Sequence, residues 1–274
     1  MLPQLKLDAS ATVDLLCGFI TAEFDTAGFS RAIVGLSGGI DSALTATLCV
    51  RALGPRQVSC IMMPHRDSSA ESVEHARLVA GWMGVEPDLV DITPVVDPLI
   101  AGDPTMNRLR RGNIMARTRM IVLYDRSARD HGLVVGTGNK TEALLGYSTL
   151  FGDAACAINP LGDLYKTQVR QLSAWLGIPD AIIQKPPSAD LWSGQTDEDE
   201  LGFTYDRVDA LLVSMIDGRV DDAGLAALGF EPEFIAAVRA RIVRQRFKRM
   251  LPTIARIGAR PVNADILYPD TWGI

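Results

Sequence analysis

Apolar positions fall into two kinds of pattern along the first half of the chain. One set recurs every three or four residues and predicts an amphipathic helix, namely Val13, Leu16, Cys17, Ile20 and Phe24. Short apolar or β-branched runs follow, with helix-like stretches between them, and they predict strands at residues 32–36, 58–63, 88–92 and 133–135. Strands that alternate with helices are typical of an α/β fold with a doubly wound parallel sheet.

The pattern changes after Leu161, where strand signals fade and helical spacing dominates. It predicts helices over residues 165–176, 197–216, 221–228 and 233–250. We therefore expect residues 1–274 to form a single domain, with an α/β core at about 30–160 and a mainly helical C-terminal extension at about 161–274.

Composition narrows the class of protein. With 274 residues, of which 47% are hydrophobic and 22% charged, the chain can bury one large core. Its net charge of −6 argues against a nucleic-acid binder, and it has neither an apolar run of membrane-spanning length nor a secretory signal pattern. We expect a cytoplasmic protein with no membrane partner. The four cysteines form no CxxC pair, so a zinc site or disulfide framework is not indicated.

Basic residues are concentrated in two segments of this acidic chain. The first contains Arg108, Arg110, Arg111, Arg117 and Arg119, and the second contains Arg239, Arg241, Arg244, Arg246, Lys248 and Arg249. A polyanionic small molecule could lie between the two segments, or both could be solvated helix faces, and the sequence favours neither alternative.

The string Ser37-Gly38-Gly39-Ile40-Asp41-Ser42 lies where the first predicted strand meets a helix. Glycines let a backbone curve closely around an anion, and a helix N-terminus offers unpaired N–H groups to it, so the string predicts a phosphate site. Asp41 would repel phosphate unless a cation such as Mg²⁺ lies between them. A Gly-Gly turn with Asp or Ser is also ordinary helix-start chemistry, but the complete string is more specific than that.

A second glycine segment, Gly136 to Thr141, imitates the end of a Walker A loop. That loop requires Gly immediately before its Lys and another Gly five positions before that one, where this chain has Asn139 and Val134. A dinucleotide fingerprint of the form GxGxxG is also missing after the predicted strands. A classical Rossmann dehydrogenase is therefore not expected.

Several segments in a fixed order resemble the NAD synthetase family, whose glycine loop is that of the N-type ATP pyrophosphatases. After the Ser37–Ser42 string they read GNIMARTRM (112–120), GTGNKTE (136–142), GD (152–153), PLGDLYKTQVR (160–170), KPPSADL (185–191) and QTDE (195–198). The resemblance implies an adenine nucleotide alpha hydrolase-like fold. It also implies ATP-dependent amidation of deamido-NAD to NAD by ammonia, through an adenylated carboxylate, with release of AMP and pyrophosphate.

The resemblance also implies roles for individual residues. Ser37, Gly38, Gly39, Ile40, Asp41 and Ser42 would hold the ATP phosphates. Asp41 and Glu142 would bind Mg²⁺, and Thr137, Lys166 and Ser188 would contact ATP or its pyrophosphate. Asp41, Glu142 and Lys166 would thus be the catalytic group. Arg117 and Asp153 would contact deamido-NAD, and a homodimer would complete the dinucleotide site.

The acceptor half of the site departs from the ammonia-dependent pattern. In the stretch 148–157 Leu150 replaces a Lys and Ala157 replaces an Asp, which leaves open an amide ligase for a different carboxylate substrate. The stretch is closer to that of glutamine-dependent members, yet the chain lacks room for their amidase domain before Arg31. Free ammonia, or ammonia from a separate glutaminase, remains as nitrogen source.

Overall fold

Four parallel strands form one sheet in the computed structural model, which describes residues 2–192, 194–250 and 253–258. The strands are β1 (Arg31–Gly35), β2 (Val58–Met62), β3 (Asp88–Leu89) and β4 (Gly132–Val134), in the spatial order β3-β2-β1-β4. In the register of the sheet, Val34 of β1 is opposite Cys60 of β2, and Ala32 is opposite Leu133 of β4. This arrangement confirms the predicted parallel α/β sheet.

Helices connect the strands and follow the last of them. Those of the α/β part are α1 (Ala9–Ala27), α2 (Ile40–Leu53), α3 (Ala70–Met83), α4 (Thr93–Ala101), α5 (Arg108–Asp130) and α6 (Lys140–Leu145). Those after it are α7 (Lys166–Leu176), α8 (Asp180–Ile183), α9 (Asp197–Leu201), α10 (Tyr205–Leu212), α11 (Asp222–Ala227) and α12 (Pro232–Arg244). A π-helical turn, Val213–Asp217, extends α10.

The sheet is buried on both faces, which explains the continuous apolar sequence of β1. Val34 faces a cluster that includes Ile20 of α1, Leu44 of α2 and Leu172 of α7. The next residue toward the N-terminus, Ile33, faces the other cluster, built from α4 and α5. Helices on both sides are what a parallel sheet requires, because neither of its faces can be left to water.

The strand order creates a crevice at one edge of the sheet. From β1 the chain passes to β2 on one side, and it later returns to β4 on the other. Ligands of open parallel sheets bind at the carboxyl ends of strands where the order reverses in this way. The loops after Gly35 and after Val134 therefore face the same crevice.

Three predicted elements have different bounds in the structure. The strand predicted at 88–92 is assigned only at Asp88–Leu89, although Val90 and Ile92 still donate backbone hydrogen bonds to the Met62 and Pro64 carbonyls. Asp91 Oδ1 accepts the Thr93 N–H at 2.8 Å where α4 begins. The helix predicted at 197–216 divides into α9 and α10, since Gly202 ends α9 in the left-handed conformation (φ 81°). The helix predicted at 233–250 ends at Arg244, and a 3₁₀ turn follows at Arg246–Arg249.

The helices after α7 have an apolar cluster of their own. It contains Tyr165, Tyr205, Leu211, Leu225 and Val238, all buried. None of the helices in the described ranges combines the length and apolar character needed to cross a bilayer.

Candidate active site

The loop after β1 reaches the crevice through a close backbone approach. Gly38 has a φ of +77°, and a Cβ at this position would lie 2.2 Å from the Ser72 carbonyl oxygen. Both the dihedral angle and the space therefore require glycine. Gly39 follows as the N-cap of α2, so the unpaired N–H groups of that helix begin at the crevice.

Two hydroxyl groups hold this loop in its shape. Ser42 Oγ accepts the Ser37 N–H at 3.2 Å, donates to the Gly39 carbonyl at 2.9 Å and lies 3.1 Å from Ser37 Oγ. The loop is thus fixed before any ligand binds, which lowers the entropic cost of presenting its N–H groups to an anion.

A lysine between two carboxylates lies at the centre of the crevice. Lys166 Nζ, at the start of α7, is 2.5 Å from Asp41 Oδ2 in α2 and 3.2 Å from Glu142 Oε1 in α6. The Lys166 side chain is only 3% exposed. The structure therefore brings together the three residues that the sequence predicted as the catalytic group.

Asn139 forms hydrogen bonds with both the Asp41 and the Glu142 carboxylate. Its side chain donates to Asp41 Oδ1 at 2.9 Å, and its backbone N–H donates to Glu142 Oε2 at 3.2 Å. It is fully buried and is the N-cap of α6, where it forms a capping box with Glu142. The sequence carries the signal for this cap, since Asn three positions before Glu is a capping pattern, but its contact with Asp41 is visible only in the fold.

A buried carboxylate from α10 joins the helices that carry Glu142 and Lys166. Asp209 accepts the Thr141 hydroxyl at 2.6 Å and the Thr167 N–H at 2.8 Å. Thr141 Oγ1 in turn accepts the Lys166 N–H at 3.0 Å. Asp209 thereby fixes α6 relative to α7, and no pattern in the sequence indicated that role.

Burial and the neighbouring charges shift the pKa values of the residues in this cluster. Burial raises the pKa of Glu142, and Lys166 opposes that effect. Burial would lower the pKa of Lys166, but Asp41 and Glu142 outweigh it, so the lysine remains charged. Burial also raises the pKa of Asp197, a further acid beside them. Burial thus favours the neutral form of two of the acids near Lys166, and a bound cation would favour their ionised form.

The cavity around this cluster has a volume of about 770 Å³. Its walls include most of the residues that the sequence predicted as site residues, namely Ser37, Gly39, Ile40, Asp41, Ser42, Arg117, Thr137, Glu142, Asp153, Lys166 and Ser188. Gly38 lies behind this wall against Ser72. A volume of this size can hold a nucleotide-sized ligand.

The two residues that were predicted to contact deamido-NAD, Arg117 and Asp153, also line this cavity. Arg117 donates to the Leu150 carbonyl, with distances of 3.3 Å from Nε and 3.2 Å from Nη2. Asp153 Oδ1 accepts the Thr149 N–H at 2.8 Å, and burial raises the pKa of this carboxyl. Ser188, which was predicted to contact ATP, lies in a different loop, where its Oγ accepts the Asp190 N–H at 3.0 Å.

The two basic segments contribute to the cavity only in part. Arg117 and Arg119 from the first segment and Arg241 and Lys248 from the second line it. Other members are surface ion pairs, as Arg110 is with Asp103 and Arg239 with Asp222. Lys248 donates to the carbonyls of Gly146 at 2.7 Å and Ser148 at 2.6 Å. Its place in the wall, like that of Asp197, was not predicted among the site residues.

Comparisons with known proteins agree on one family. The sequence model described as NAD synthase matches residues 12–252. The chain is 52% identical over 270 residues to the NH(3)-dependent NAD(+) synthetase of Trichlorobacter lovleyi, which covers 98% of this chain and 99% of the relative.

Solved structures give the same result. The chain resembles NMN synthetase from Francisella tularensis with a TM-score of 0.80 and 30% identity, over 91% of this chain and 99% of that one. It resembles the NH3-dependent NAD synthetase from Campylobacter jejuni with a TM-score of 0.78 and 33% identity, over 91% and 100%.

Proposed function

The chain belongs to the NAD synthase family, and we propose that the cluster of Asp41, Glu142 and Lys166 is where it activates its substrate. The reaction is the ATP-dependent amidation of deamido-NAD to NAD. The nicotinate carboxylate attacks the α-phosphorus of ATP and displaces pyrophosphate. Ammonia then attacks the acyl carbon of the adenylate, and AMP leaves as the amide forms.

The observation that carries this proposal is the position of Lys166 Nζ between the Asp41 and Glu142 carboxylates. Adenylation transfers negative charge to the departing pyrophosphate, and a fixed ammonium group stabilises that charge more strongly in the transition state than in the ground state. We assign this task to Lys166. The ion pairs hold the lysine beside these carboxylates in the crevice.

We propose that Asp41 and Glu142 also bind Mg²⁺. Both carboxylates converge on one ammonium group, so a single cation can be shared between them, and Mg²⁺ is usually held by one or two carboxylates plus phosphate oxygens and water. In the described residues no group of three His, Cys, Asp or Glu side chains could hold an ion alone, which suits a metal that arrives with ATP. When bound, the ion would neutralise phosphate charge.

The remaining residues divide into two groups. Ser37, Gly38, Gly39, Ile40 and Ser42 would offer N–H and hydroxyl groups to phosphate oxygens at the start of α2, a preferred place for anions. We place Thr137 and Ser188 beside the same nucleotide. Arg117 and Asp153 would contact deamido-NAD. Both already form hydrogen bonds with backbone groups of the loop at 148–153, so we expect the ligand to order this loop further.

A product assay tests the proposed function. Purified protein is incubated with ATP, Mg²⁺, ammonium and deamido-NAD, and mass spectrometry should detect NAD, AMP and pyrophosphate in equal amounts. A parallel reaction replaces deamido-NAD with nicotinate mononucleotide, since Leu150 and Ala157 alter the acceptor end. Formation of AMP and an amide only with the mononucleotide would retain the chemistry and overturn the substrate. Release of neither AMP nor pyrophosphate would overturn both.

We propose free ammonia as the nitrogen donor. Replacing ammonium by glutamine should give no NAD with the purified chain. Adding a separate glutaminase to glutamine should restore NAD formation, because it releases ammonia. If a glutaminase that forms a complex with the chain supports NAD formation but an equal concentration of ammonium does not, the chain is the synthetase subunit of a two-protein system, and our proposal of free ammonia is wrong.

We further propose a homodimer in the cytoplasm, where ATP is supplied. On α5, Ile121 and Tyr124 are one helical turn apart, and they are 60% and 41% exposed. An exposed apolar strip of this kind is typical of a contact between subunits. Light scattering should give twice the mass of one chain, and Ile121→Glu should halve it. A monomer in the parent protein at assay concentration would contradict the dimer.

A further inference from the structure

We propose that Asp197, with Tyr147 and Tyr205, forms a binding site for the ammonium ion in the wall of the crevice. The site rests on the proposed function, for which ammonia is the nitrogen donor. None of the three residues was predicted as a site residue from the sequence. The structure brings them together from α9, from the loop after α6 and from α10.

The first observation is an unpartnered oxygen on Asp197. The residue is 4% exposed and lines the crevice, and its Oδ2 accepts the Tyr205 hydroxyl at 3.0 Å. Its Oδ1 is buried and has no hydrogen-bond partner among the described residues. A buried carboxylate oxygen without a donor is costly, so this atom is expected to be paired when the protein works.

The surroundings of that oxygen suit ammonium. Tyr147 lies beside Asp197, and its hydroxyl donates to Glu200 Oε2 at 2.8 Å, so its oxygen can still accept a hydrogen bond. Tyr205 is fully buried behind Asp197, where its hydroxyl donates to Asp197 Oδ2, and Lys166 Nζ lies 5.0 Å from its ring centroid. Tyr205 therefore positions the Asp197 carboxylate, and Oδ1 is left for the ligand.

A metal ion fits this place less well. Mg²⁺ requires near-octahedral coordination by oxygens, whereas Asp197 Oδ1 and the Tyr147 hydroxyl supply only two of these ligands. Ammonium requires hydrogen-bond acceptors and negative charge without a fixed geometry. Most ammonia is protonated at neutral pH, so an ammonia-dependent enzyme meets the cation first and gains from an anionic site for it.

The location agrees with the path of the nitrogen. Asp197, Tyr147 and Glu142 line the same cavity as Asp153. An ion at Asp197 would thus lie in the same cavity as the residues that we propose bind ATP and deamido-NAD.

The test compares Asp197→Asn with the parent chain and with Asp199→Asn. Asp199 is in the first turn of the same helix but is exposed, so its variant makes the same change of charge outside the cavity. The KM for ammonium is measured at saturating ATP and deamido-NAD. The adenylation half-reaction is measured separately, as deamido-NAD-dependent exchange of pyrophosphate into ATP without a nitrogen donor. Hydroxylamine, mostly uncharged at neutral pH, serves as a nucleophile that needs no cation site.

Asp197→Asn should raise the KM for ammonium about tenfold or more, as loss of one charged hydrogen bond would. Pyrophosphate exchange and the reaction with hydroxylamine should stay close to those of the parent, and Asp199→Asn should change none of the three. If Asp197→Asn does not fold, Tyr147→Phe is expected to raise the same KM with exchange intact.

Two results would overturn the site. An unchanged KM for ammonium would mean that Asp197 Oδ1 holds only a water molecule. Loss of pyrophosphate exchange in Asp197→Asn would mean that the residue positions Lys166 and not the nitrogen donor. Absence of exchange in the parent chain is a different result, because it removes the proposed function itself and with it any role for ammonium here.

Discussion

Lys166 Nζ lies 2.5 Å from Asp41 Oδ2, although 125 residues separate the two in the chain. The pair spans the switch point of the sheet, since Asp41 follows β1 and Lys166 begins α7 after the last strand. Lys166 is buried and the Asp41 side chain is only 17% exposed, so removing one leaves the other with little access to water and without its counter-charge, which is more costly than losing a surface pair. The fold therefore maintains a largely buried ion pair at the switch point, which fits the polyanionic ligand that we propose for this site.

Gly38 should tolerate no side chain. Gly38→Ala should lower the free energy of unfolding by at least about 2 kcal/mol, because it combines left-handed strain with a clash against the Ser72 carbonyl. Gly28→Ala is the matched control, since Gly28 has a similar φ of +71° but nothing within 4 Å of the added atom. Urea denaturation of both variants isolates the clash. An equal decrease in the free energy of unfolding for the two variants would show that the loop simply moves away from α3.

Asp209 should matter for stability and for turnover without touching a ligand. Asp209→Asn removes an acceptor from either Thr141 or Thr167, so the free energy of unfolding should fall by about 2 kcal/mol. The value of kcat should fall as α6 and α7 lose their fixed relation. Asp206→Asn on the same helix is the control, because this carboxylate is 77% exposed and pairs only with Arg170. A stable Asp209→Asn variant with normal kcat would disprove the bracing role.

Arg249 should stabilise the end of the helix that carries Glu142. It donates to the carbonyls of Ala143 at 3.1 Å and Leu144 at 2.8 Å, both of them in α6. Arg249→Ala should therefore cost about 1 kcal/mol in thermal or urea unfolding. Arg244→Ala, an exposed arginine of the preceding helix, should cost almost nothing. If the two variants are equally stable, the contacts of Arg249 with α6 contribute no net stability.

Asp41 should determine the requirement for Mg²⁺. Asp41→Asn keeps an oxygen for the Asn139 side chain but loses the negative charge, so more Mg²⁺ should be needed for half-maximal ATP binding measured by calorimetry. Asp163→Asn is the control, since this carboxylate is 96% exposed and pairs with Lys140. An unchanged Mg²⁺ dependence in Asp41→Asn would exclude it as a metal ligand.

The sheet and its strand positions could be predicted from the sequence because β1, β2 and β4 are short buried runs with clear boundaries. The helix predicted at 197–216 was wrong in its continuity, since apolar spacing is nearly the same on both sides of Gly202 and only the left-handed backbone there shows the break. The end of α12 at Arg244 also depends on distant groups. Lys248 and Arg249 turn back to the carbonyls that follow and end α6, a contact over about a hundred residues.

Site residues that belong to a local sequence motif could be predicted, whereas those that join the site through distant contacts could not. The string at 37–42 places Asp41 by itself, and the resemblance to a family supplied Glu142 and Lys166. Asn139, Asp197 and Asp209 are ordinary helix-capping or helix-surface residues in the sequence. Their roles come from tertiary contacts over 98 residues in the case of Asn139 and Asp41, and such contacts leave no pattern in one sequence.

The most direct test of the central claim is deamido-NAD-dependent pyrophosphate release by Lys166→Met, with Lys140→Met as control. Lys140 lies one residue after Asn139 but pairs with Asp217, away from Asp41. Each rate is divided by the concentration of folded protein, and the folded fraction is determined by urea denaturation. We predict that Lys166→Met is slower by about a hundredfold or more, which corresponds to roughly 3 kcal/mol in the barrier, while Lys140→Met stays near the parent rate. A rate for Lys166→Met close to that of the parent would contradict the assignment.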